Sequence, residues 1–276
     1  MTETQLLAEG LGFPESTRWH DGRIWFCNWG AGEVVALGPD GAREVITRVA
    51  PQTLPFSIDW LPDGRMLLID GPQRRLLELG AGGKLELLAD LSELSAAAPF
   101  NELVVSSTGN IYVNGGTGSV VCVRPGLGVT VVADGFRWPN GMALLDDEHT
   151  LVVADSHTNE LVAFDVEDGG TLSGRRVWAE LEHAPDGICA DADGAIWVAT
   201  VPGRQCLRVA AGGELLDAVP VDRGCFACML GGADGRTLFI AAARWPGMEV
   251  AMRDGPGLTG QLLAAPGMPA AHAGRP

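Results

Sequence analysis

Short apolar runs recur along the whole chain, and turns rich in Gly, Asp and Pro separate them. One set of these runs returns at intervals of 40 to 45 residues, with members that begin at Ile24, Met66, Ile111, Leu151, Ile196 and Leu238. Most of them follow an Asp-Gly pair, which tolerates the positive φ of a tight hairpin turn. Because a fixed period determines the architecture of a whole chain, the pattern predicts six copies of one structural unit.

Each unit is predicted to contain four short strands. The run that defines the period is followed by a second run, as at 33–37 and 160–164, and by a third, as at 85–89. A further apolar run begins at the turn that opens each unit, and helical periodicity is confined to a weak stripe over 91–98. Four antiparallel strands per repeat are typical of a propeller blade. We therefore predict an all-β, six-bladed β-propeller forming one domain over 1–276.

The two ends of the chain predict how the ring closes. Residues 5–9 align with the outermost strand of the other units, whereas the last unit lacks its fourth strand after 260–264. We expect the N-terminal strand to complete the sixth blade, because closure removes sheet edges that would otherwise be exposed. The tail over 266–276 is expected to lie across the surface as a strap.

The turns that open the six units bring polar residues to one repeated position. We call this position the hub ring, and its members are Glu15, Phe56, Asn101, Asn140, Asp186 and Ala227. Equivalent positions on the innermost strands of a propeller surround the central channel, so these residues are expected to be neighbours. Each turn also has a purely structural explanation, since Asn-Gly and Asp-Gly are ordinary turn pairs.

Four members of the hub ring carry side-chain oxygens, and this predicts a metal site. The predicted ligands are Glu15, Asn101, Asn140 and Asp186. Two carboxylates and two amides, without His or Cys, suit a hard divalent cation. Calcium is the first choice, and magnesium, manganese or zinc are the alternatives.

Composition and charge exclude several other classes of protein. The formal net charge of −16 argues against nucleic acid or an anionic membrane as partner, because both attract clustered Lys and Arg. Neither a signal-peptide pattern nor a membrane-length apolar run is found, so a cytoplasmic protein is expected. The six cysteines are expected to be reduced core residues. Cys225 and Cys228 form a C-x-x-C that lacks the surroundings of a redox or zinc motif.

An ordered set of motifs resembles the gluconolactonase, regucalcin (senescence marker protein) and luciferin-regenerating-enzyme-like family. The set covers essentially the whole chain and comprises Phe13-Pro14-Glu15, Asn101-Glu102, Trp138-Pro139-Asn140-Gly141, Pro185-Asp186-Gly187, Leu230-Gly231-Gly232 and His272-Ala273-Gly274. The resemblance implies a six-bladed propeller that binds a divalent metal on its axis and hydrolyses lactones. It also implies that Glu15, Asn140 and Asp186 are metal ligands, with Asn101 a fourth ligand or a substrate contact.

The resemblance further implies how the residues divide the chemistry. A bound cation would polarise the lactone carbonyl while a carboxylate activates water, and Asp186 is the first choice for this base. His157 and His183 are alternative proton carriers. The expected substrate contacts are Asn101, Glu102, Phe56, Trp29 and Trp138, and Phe226 is expected at the same rim.

One departure from the family pattern bears on the substrate. Sugar-lactonase members carry an Arg two residues before the Asn of the third turn, where this chain has Pro99, and the following acidic residue is Glu102 instead of Asp. Sugar specificity is therefore not carried over, and the apolar rim suits a lactone or ester with hydrophobic substituents. Two alternatives remain open, a non-enzymatic calcium-binding or interaction propeller and a biosynthetic propeller enzyme. The sequence leaves the oligomeric state open.

Overall fold

Six four-stranded antiparallel sheets form the six blades of a β-propeller in a computed structural model. The structure describes residues 3–50, 54–94, 98–116, 118–145, 147–247, 250 and 257–273. Within each blade the strands follow one another by hairpins, so that each strand pairs with the next in sequence. The all-β, six-bladed architecture predicted from the repeat is confirmed.

The strands are numbered in chain order, and each blade begins with its innermost strand. Blade 1 contains β2 (Pro14–His20), β3 (Arg23–Asn28), β4 (Glu33–Leu37) and β5 (Arg43–Arg48), and blade 2 contains β6 (Phe56–Trp60), β7 (Met66–Asp70), β8 (Arg75–Leu79) and β9 (Leu85–Asp90). Blade 3 contains β10 (Phe100–Val105), β11 (Ile111–Gly115), β12 (Ser119–Arg124) and β13 (Gly128–Ala133), and blade 4 contains β14 (Pro139–Leu145), β15 (Thr150–Asp155), β16 (Glu160–Val166) and β17 (Leu172–Glu180). Blade 5 contains β18 (Pro185–Ala190), β19 (Ile196–Thr200), β20 (Gln205–Val209) and β21 (Leu215–Pro220), and blade 6 contains β22 (Gly224–Gly231), β23 (Thr237–Ala243), β24 (Gly260–Ala265) and β1 (Gln5–Leu11).

The N-terminal strand closes the ring as the sequence predicts. Strand β1 is antiparallel to β24 at the outer edge of blade 6, with Leu6 opposite Leu263. The tail also behaves as the predicted strap over the part that the structure describes. Ala192 N–H donates to Ala271 O at 2.8 Å and His272 N–H donates to Gly235 O at 2.8 Å, so the tail joins blades 5 and 6. Residues 274–276 of the predicted strap lie outside the described residues.

Short 3-10 turns occur at Trp29–Ala31, Ala81–Gly83, Ser92–Leu94 and Asp168–Gly170, and Val250 has helical backbone. The weak helical stripe over 91–98 corresponds to the third of these turns, and residues 95–97 lie outside the described part. Among the described residues, no helix has the length and apolar character needed to cross a membrane.

The core lies between neighbouring blades instead of at one centre. Successive side chains on a strand point to opposite faces, so each middle strand packs against both of its neighbours. In β7, Leu68 packs in a cluster with residues of blade 1, whereas Leu67 and Ile69 pack with residues of blade 3. The first strand of each blade is the innermost one. The polar hub-ring residues lie on these innermost strands, next to the axis.

Candidate functional site

The hub-ring residues with side-chain oxygens share one backbone setting. Glu15, Asn101, Asn140 and Asp186 are each the second residue of the innermost strand of a blade. In all four blades the pairing of that strand with the next shifts register at or beside this residue, which marks a β-bulge. Bulges commonly redirect side chains beside functional sites.

Blade 2 lacks this bulge, and its hub-ring residue lies elsewhere. The pairing of β6 with β7 continues without a register shift from Phe56 to Trp60. The Phe56 side chain has 0% of its surface exposed and packs between blades 1 and 2. The structure thus places Phe56 in the core, against Trp29, with no exposed surface at the rim expected from the sequence.

A chain of hydrogen bonds links blades 3, 4 and 5 through the polar hub-ring residues. Asn101 Nδ2 donates to Asn140 Oδ1 at 2.9 Å, and Asn140 Nδ2 lies 3.3 Å from Ser156 Oγ, to which it donates. Ser156 Oγ in turn donates to Pro185 O at 2.6 Å, beside Asp186. The network therefore contains two of the four predicted ligands, Asn101 and Asn140, and ends at the backbone next to a third, Asp186.

Glu15 joins this group through charge. Burial raises the pKa of Glu15 well above its usual range, and the negative charge of Asp186 raises it further. Burial likewise raises the pKa of Asp186, with the charge of Glu102 as the next cause. A buried carboxylate such as Glu15 that is repelled by the half-buried Asp186 is costly to ionise unless a cation offsets the charge.

The donor set fits a divalent cation, although it is poor in charged ligands. Among the described residues, no group of three or more His, Cys, Asp or Glu side chains is arranged to hold a metal ion. The predicted set has only two carboxylates, and Asn101 and Asn140 contribute amide oxygens. Carboxylate and amide oxygens are ligands that calcium accepts.

Glu102 is engaged by an arginine that the sequence analysis did not single out. Arg18 Nη2 donates to Glu102 Oε1 at 2.7 Å, and Leu103 N–H donates to the same oxygen at 3.0 Å. Both charged side chains are buried, with residue exposures of 6% for Arg18 and 7% for Glu102. Glu102 was predicted to contact the substrate, but its carboxylate already forms an ion pair with Arg18. An arginine on the innermost strand of blade 1, three positions after Glu15, was the available signal.

Aromatic side chains cluster on the blade 1 and blade 6 side of the hub ring. We call Phe13, Trp29, Phe226 and Trp245 the aromatic wall. The Phe13 ring centroid lies 5.5 Å from that of Trp29, 4.3 Å from Phe226 and 5.3 Å from Trp245. Trp29 is partly buried, and its Nε1 donates to Phe56 O at 2.6 Å. Trp29 and Phe226 were expected at the rim, whereas Phe13 and Trp245 were not.

The remaining predicted residues lie at the surface or in the core. Trp138 is 45% exposed and stacks on His157, with ring centroids 5.2 Å apart. His183 is partly buried, just before β18. All six cysteines are free and buried. Cys228 Sγ donates to Trp197 O at 3.5 Å, which agrees with the expected reduced core residues.

Comparison with known proteins agrees with the motifs. The family model of the SMP-30/Gluconolactonase/LRE-like region matches residues 13–244. Pig (Sus scrofa) regucalcin is 33% identical over 112 residues, a stretch that covers 38% of this chain and 37% of that protein. Bovine (Bos taurus) regucalcin is 31% identical over 134 residues, covering 46% of this chain and 44% of that protein. The matches thus span less than half the length of these curated relatives.

Solved structures share the fold at low sequence identity. Luciferin-regenerating enzyme superposes with a TM-score of 0.85 at 16% identity, covering 99% of this chain and 98% of that one. A calcium-binding protein, regucalcin, from Agrobacterium tumefaciens gives 0.80 at 19% identity, covering 100% and 97%. A gluconolactonase from Xanthomonas campestris gives 0.77 at 22% identity, covering 96% and 89%. Because the family model spans most of the chain, the protein belongs to the SMP-30/gluconolactonase/LRE-like family.

Proposed function

We propose that this protein is a metal-dependent hydrolase that opens a lactone. The observation that supports the proposal is the hydrogen-bond network from Asn101 through Asn140 and Ser156 to Pro185 O, beside Asp186, with Glu15 at the equivalent position of blade 1. Two carboxylates and two amides form a set that a divalent cation would neutralise. Calcium is the proposed ion.

The similar proteins support this function at a coarser level. One structural neighbour is a gluconolactonase and another is a calcium-binding protein. Their identities to this chain are below 25%, so their names support a lactonase-type family function without fixing the substrate. The chemistry proposed for this chain therefore depends on its own residues.

Within this proposal, Glu15, Asn140 and Asp186 hold the metal, and Asn101 is a fourth ligand or holds the substrate carbonyl. A bound divalent cation supplies polarisation of the lactone carbonyl. Asp186 accepts a proton from the attacking water as a carboxylate base. Asn140 and Ser156 help to hold the start of β18, which carries Asp186, through the hydrogen bonds from Asn140 to Ser156 and from Ser156 to Pro185 O.

We propose a lactone with an apolar or aromatic substituent as the substrate. Trp29 and Trp245 keep exposed surface in the aromatic wall, and Trp138 is exposed beside Asn140. Pro99 offers no hydrogen-bond donor to sugar hydroxyls, and the Glu102 carboxylate is bound to Arg18. A rim of this chemistry favours apolar groups over sugars.

The test is hydrolysis of a lactone panel, with sugar and alkyl- or aryl-substituted members, by the calcium-loaded protein. Asp186→Asn should lower kcat by about 10² to 10⁴, as expected for loss of a general base. EDTA should abolish turnover by the unmodified protein and calcium should restore it. Asp168→Asn, at an exposed turn, is the matched control and should retain full activity. Turnover that survives both EDTA and Asp186→Asn would exclude the mechanism.

A non-enzymatic calcium-binding propeller is the second candidate, favoured by the likeness to the calcium-binding protein from Agrobacterium tumefaciens. The same experiment separates the two. Calcium binding that Asp186→Asn weakens, without hydrolysis of any panel member, would favour the binding protein.

A further inference from the structure

A buried arginine reaches from blade 1 to blade 3 beside the hub ring. Arg18 lies on β2 and, besides Glu102, its Nη2 donates to Leu103 O at 2.9 Å on β10. Its Nη1 donates to Thr17 O at 2.9 Å. Through Nη2 the guanidinium therefore binds a carboxylate and a backbone carbonyl that lie 84 and 85 positions further along the chain.

The partner of this arginine is a third carboxylate close to the proposed metal site. Glu102 directly follows Asn101 in sequence. Arg18 lies three residues after Glu15 on β2, and the Arg18–Glu102 ion pair of 2.7 Å joins that strand to β10 next to Asn101. The ion pair is therefore bracketed in sequence by two of the proposed ligands, Glu15 and Asn101. Hard cations prefer carboxylates to amides, so an unrestrained Glu102 would compete for a place in the ligand set.

We infer that Arg18 is a positioning residue that withholds Glu102 from the metal, so that the cation is held by two carboxylates instead of three. The inference rests on the metal site of the proposed function. This role of Arg18 explains why a buried ion pair, which is costly, lies at this place. Removal of the ion pair would change the charge on the ligands of the cation. A third carboxylate would bind the cation more tightly, and would also reduce its ability to polarise a carbonyl.

The geometry argues against a purely structural role for Arg18. Arg18 Nε is buried and has no hydrogen-bond partner among the described residues. An arginine that only fastens two blades would be expected to use all of its donors, because an unmet buried donor is costly. Among the described residues the hydrogen bonds of Arg18 go through Nη1 and Nη2, and Glu102 is the carboxylate that accepts one of them; the charge of Asp59 also acts on the guanidinium.

The experiment measures calcium affinity by isothermal titration calorimetry after chelation, for the unmodified protein and three variants. Arg18→Met should bind calcium about 10- to 100-fold more tightly, the size of effect expected when a group beside a metal ligand is changed. Glu102→Gln should bind calcium more weakly, because it removes the hydrogen-bonded counter-ion of Arg18 and leaves Asp59 as the remaining carboxylate that offsets its charge near the cation. The double variant R18M/E102Q should return to within about threefold of the unmodified protein, since it restores two carboxylates with no extra charge.

A merely structural Arg18 predicts a different outcome. Its loss would weaken calcium binding, and Glu102→Gln would not reverse the effect. Arg18→Met should also lower kcat for lactone opening while calcium affinity rises, a combination that misfolding would not produce. Arg18→Lys, which keeps the charge, should stay within about threefold of the unmodified affinity if it still reaches Glu102.

The outcomes separate this inference from the proposed function. If the unmodified protein binds no calcium, the metal site itself is excluded and the inference fails with it. If it binds calcium and Arg18→Met binds no more tightly, only the inference fails. If Arg18→Met is unfolded without calcium, added calcium should fold it, because the released Glu102 gains a cation. An Arg18→Met variant that stays unfolded at every calcium concentration would also overturn the inference.

Discussion

Two arcs of the hub hold neighbouring blades together by different means. In the glycine arc, formed by Gly141, Gly187 and Ala227, the innermost strands of blades 4, 5 and 6 touch through their backbones. A Cβ at Gly141 would lie 2.6 Å from Asp186 O, and one at Gly187 would lie 2.8 Å from Ala227 Cα. In the charged arc of blades 1, 2 and 3, formed by Ser16, Arg18, Asp59 and Glu102, buried polar side chains make the connections. Asp59 Oδ2 accepts from Val105 N–H at 2.7 Å and Ser16 Oγ accepts from Ile58 N–H at 3.2 Å.

The difference indicates that the two arcs have different roles: one fixes the positions of the hub residues and the other sets the charge around them. Backbone contact without side chains leaves little freedom, so the glycine arc fixes where Asn140 and Asp186 lie. Side-chain contacts can change without moving the strands, so the charged arc can set the charge around Glu15 while the fold stays constant. The two arcs meet where burial, and then the charge of Asp186, raise the pKa of Glu15.

The largest effect is expected in the glycine arc, from Gly187→Val. The new side chain would press on the backbone of Ala227 and on Phe226 O, which a Cβ would approach to 2.9 Å. Strands β18 and β22 would have to separate, at about 3 kcal/mol or more of unfolding free energy. Urea unfolding measures this loss, and lactone turnover should fall with it because Asp186 is displaced.

Gly194→Ala is the matched control for Gly187→Val. Gly194 has φ of +78° and nothing within 4 Å of the place that a Cβ would occupy, so its replacement costs only backbone strain, about 1–2 kcal/mol. If Gly187→Val were no more destabilising than this control, close backbone contact would not be what fixes the glycine arc.

The second largest expected effect is a pH dependence of stability. It arises from Glu15 and Asp186, where the two arcs meet. Burial and neighbouring charge raise the pKa of Glu15 and Asp186, so the folded, metal-free protein binds protons that the unfolded chain has released. Stability is therefore lost as the pH rises through the raised folded pKa values, and is regained as the pH falls through them. Chelated protein should melt at a higher temperature at pH 6 than at pH 8. Calcium should raise Tm more at pH 8, by roughly 2 °C for each 1 kcal/mol of stabilisation.

Glu15→Gln tests the origin of this pH dependence. The variant lacks one of the repelling charges, so the Tm of its chelated form should change less between pH 6 and pH 8. An unchanged slope in Glu15→Gln would assign the pH dependence to groups outside the hub ring.

The sequence predicts the hub well where the repeat alone decides the structure. Period, hairpin turns and the unmatched terminal strand are local features, and they were sufficient for six blades and for closure by β1. The repeat also identified Asn101, Asn140 and Asp186; the structure joins the first two by a hydrogen bond and links them through Ser156 to the backbone of the residue before the third. These residues share a position because each follows the first residue of an innermost strand.

The repeat does not reveal which way a side chain points. Phe56 occupies the same position as Glu15, but β6 has no bulge and its side chain packs into the core. The Arg18–Glu102 pair is equally hidden, because it joins residues 84 positions apart that occupy different places in the repeat. Such a contact depends on side-chain reach across the axis, which a periodic pattern does not encode.

The smallest expected effect is in the charged arc, from Ser16→Ala. Ser16 Oγ accepts from Ile58 N–H at 3.2 Å, and its loss leaves a buried donor between blades 1 and 2 without this partner. The cost should be about 1 kcal/mol, at the lower end for an unsatisfied buried group because the bond is long. Ser107→Ala is the control, since Ser107 Oγ binds Glu148 at 2.7 Å on the exposed surface and should change stability by less than about 0.5 kcal/mol. Urea unfolding measures both. If Ser16→Ala were as costly as Gly187→Val, the charged arc would be as rigid as the glycine arc and could not adjust the charge at the hub independently of the fold.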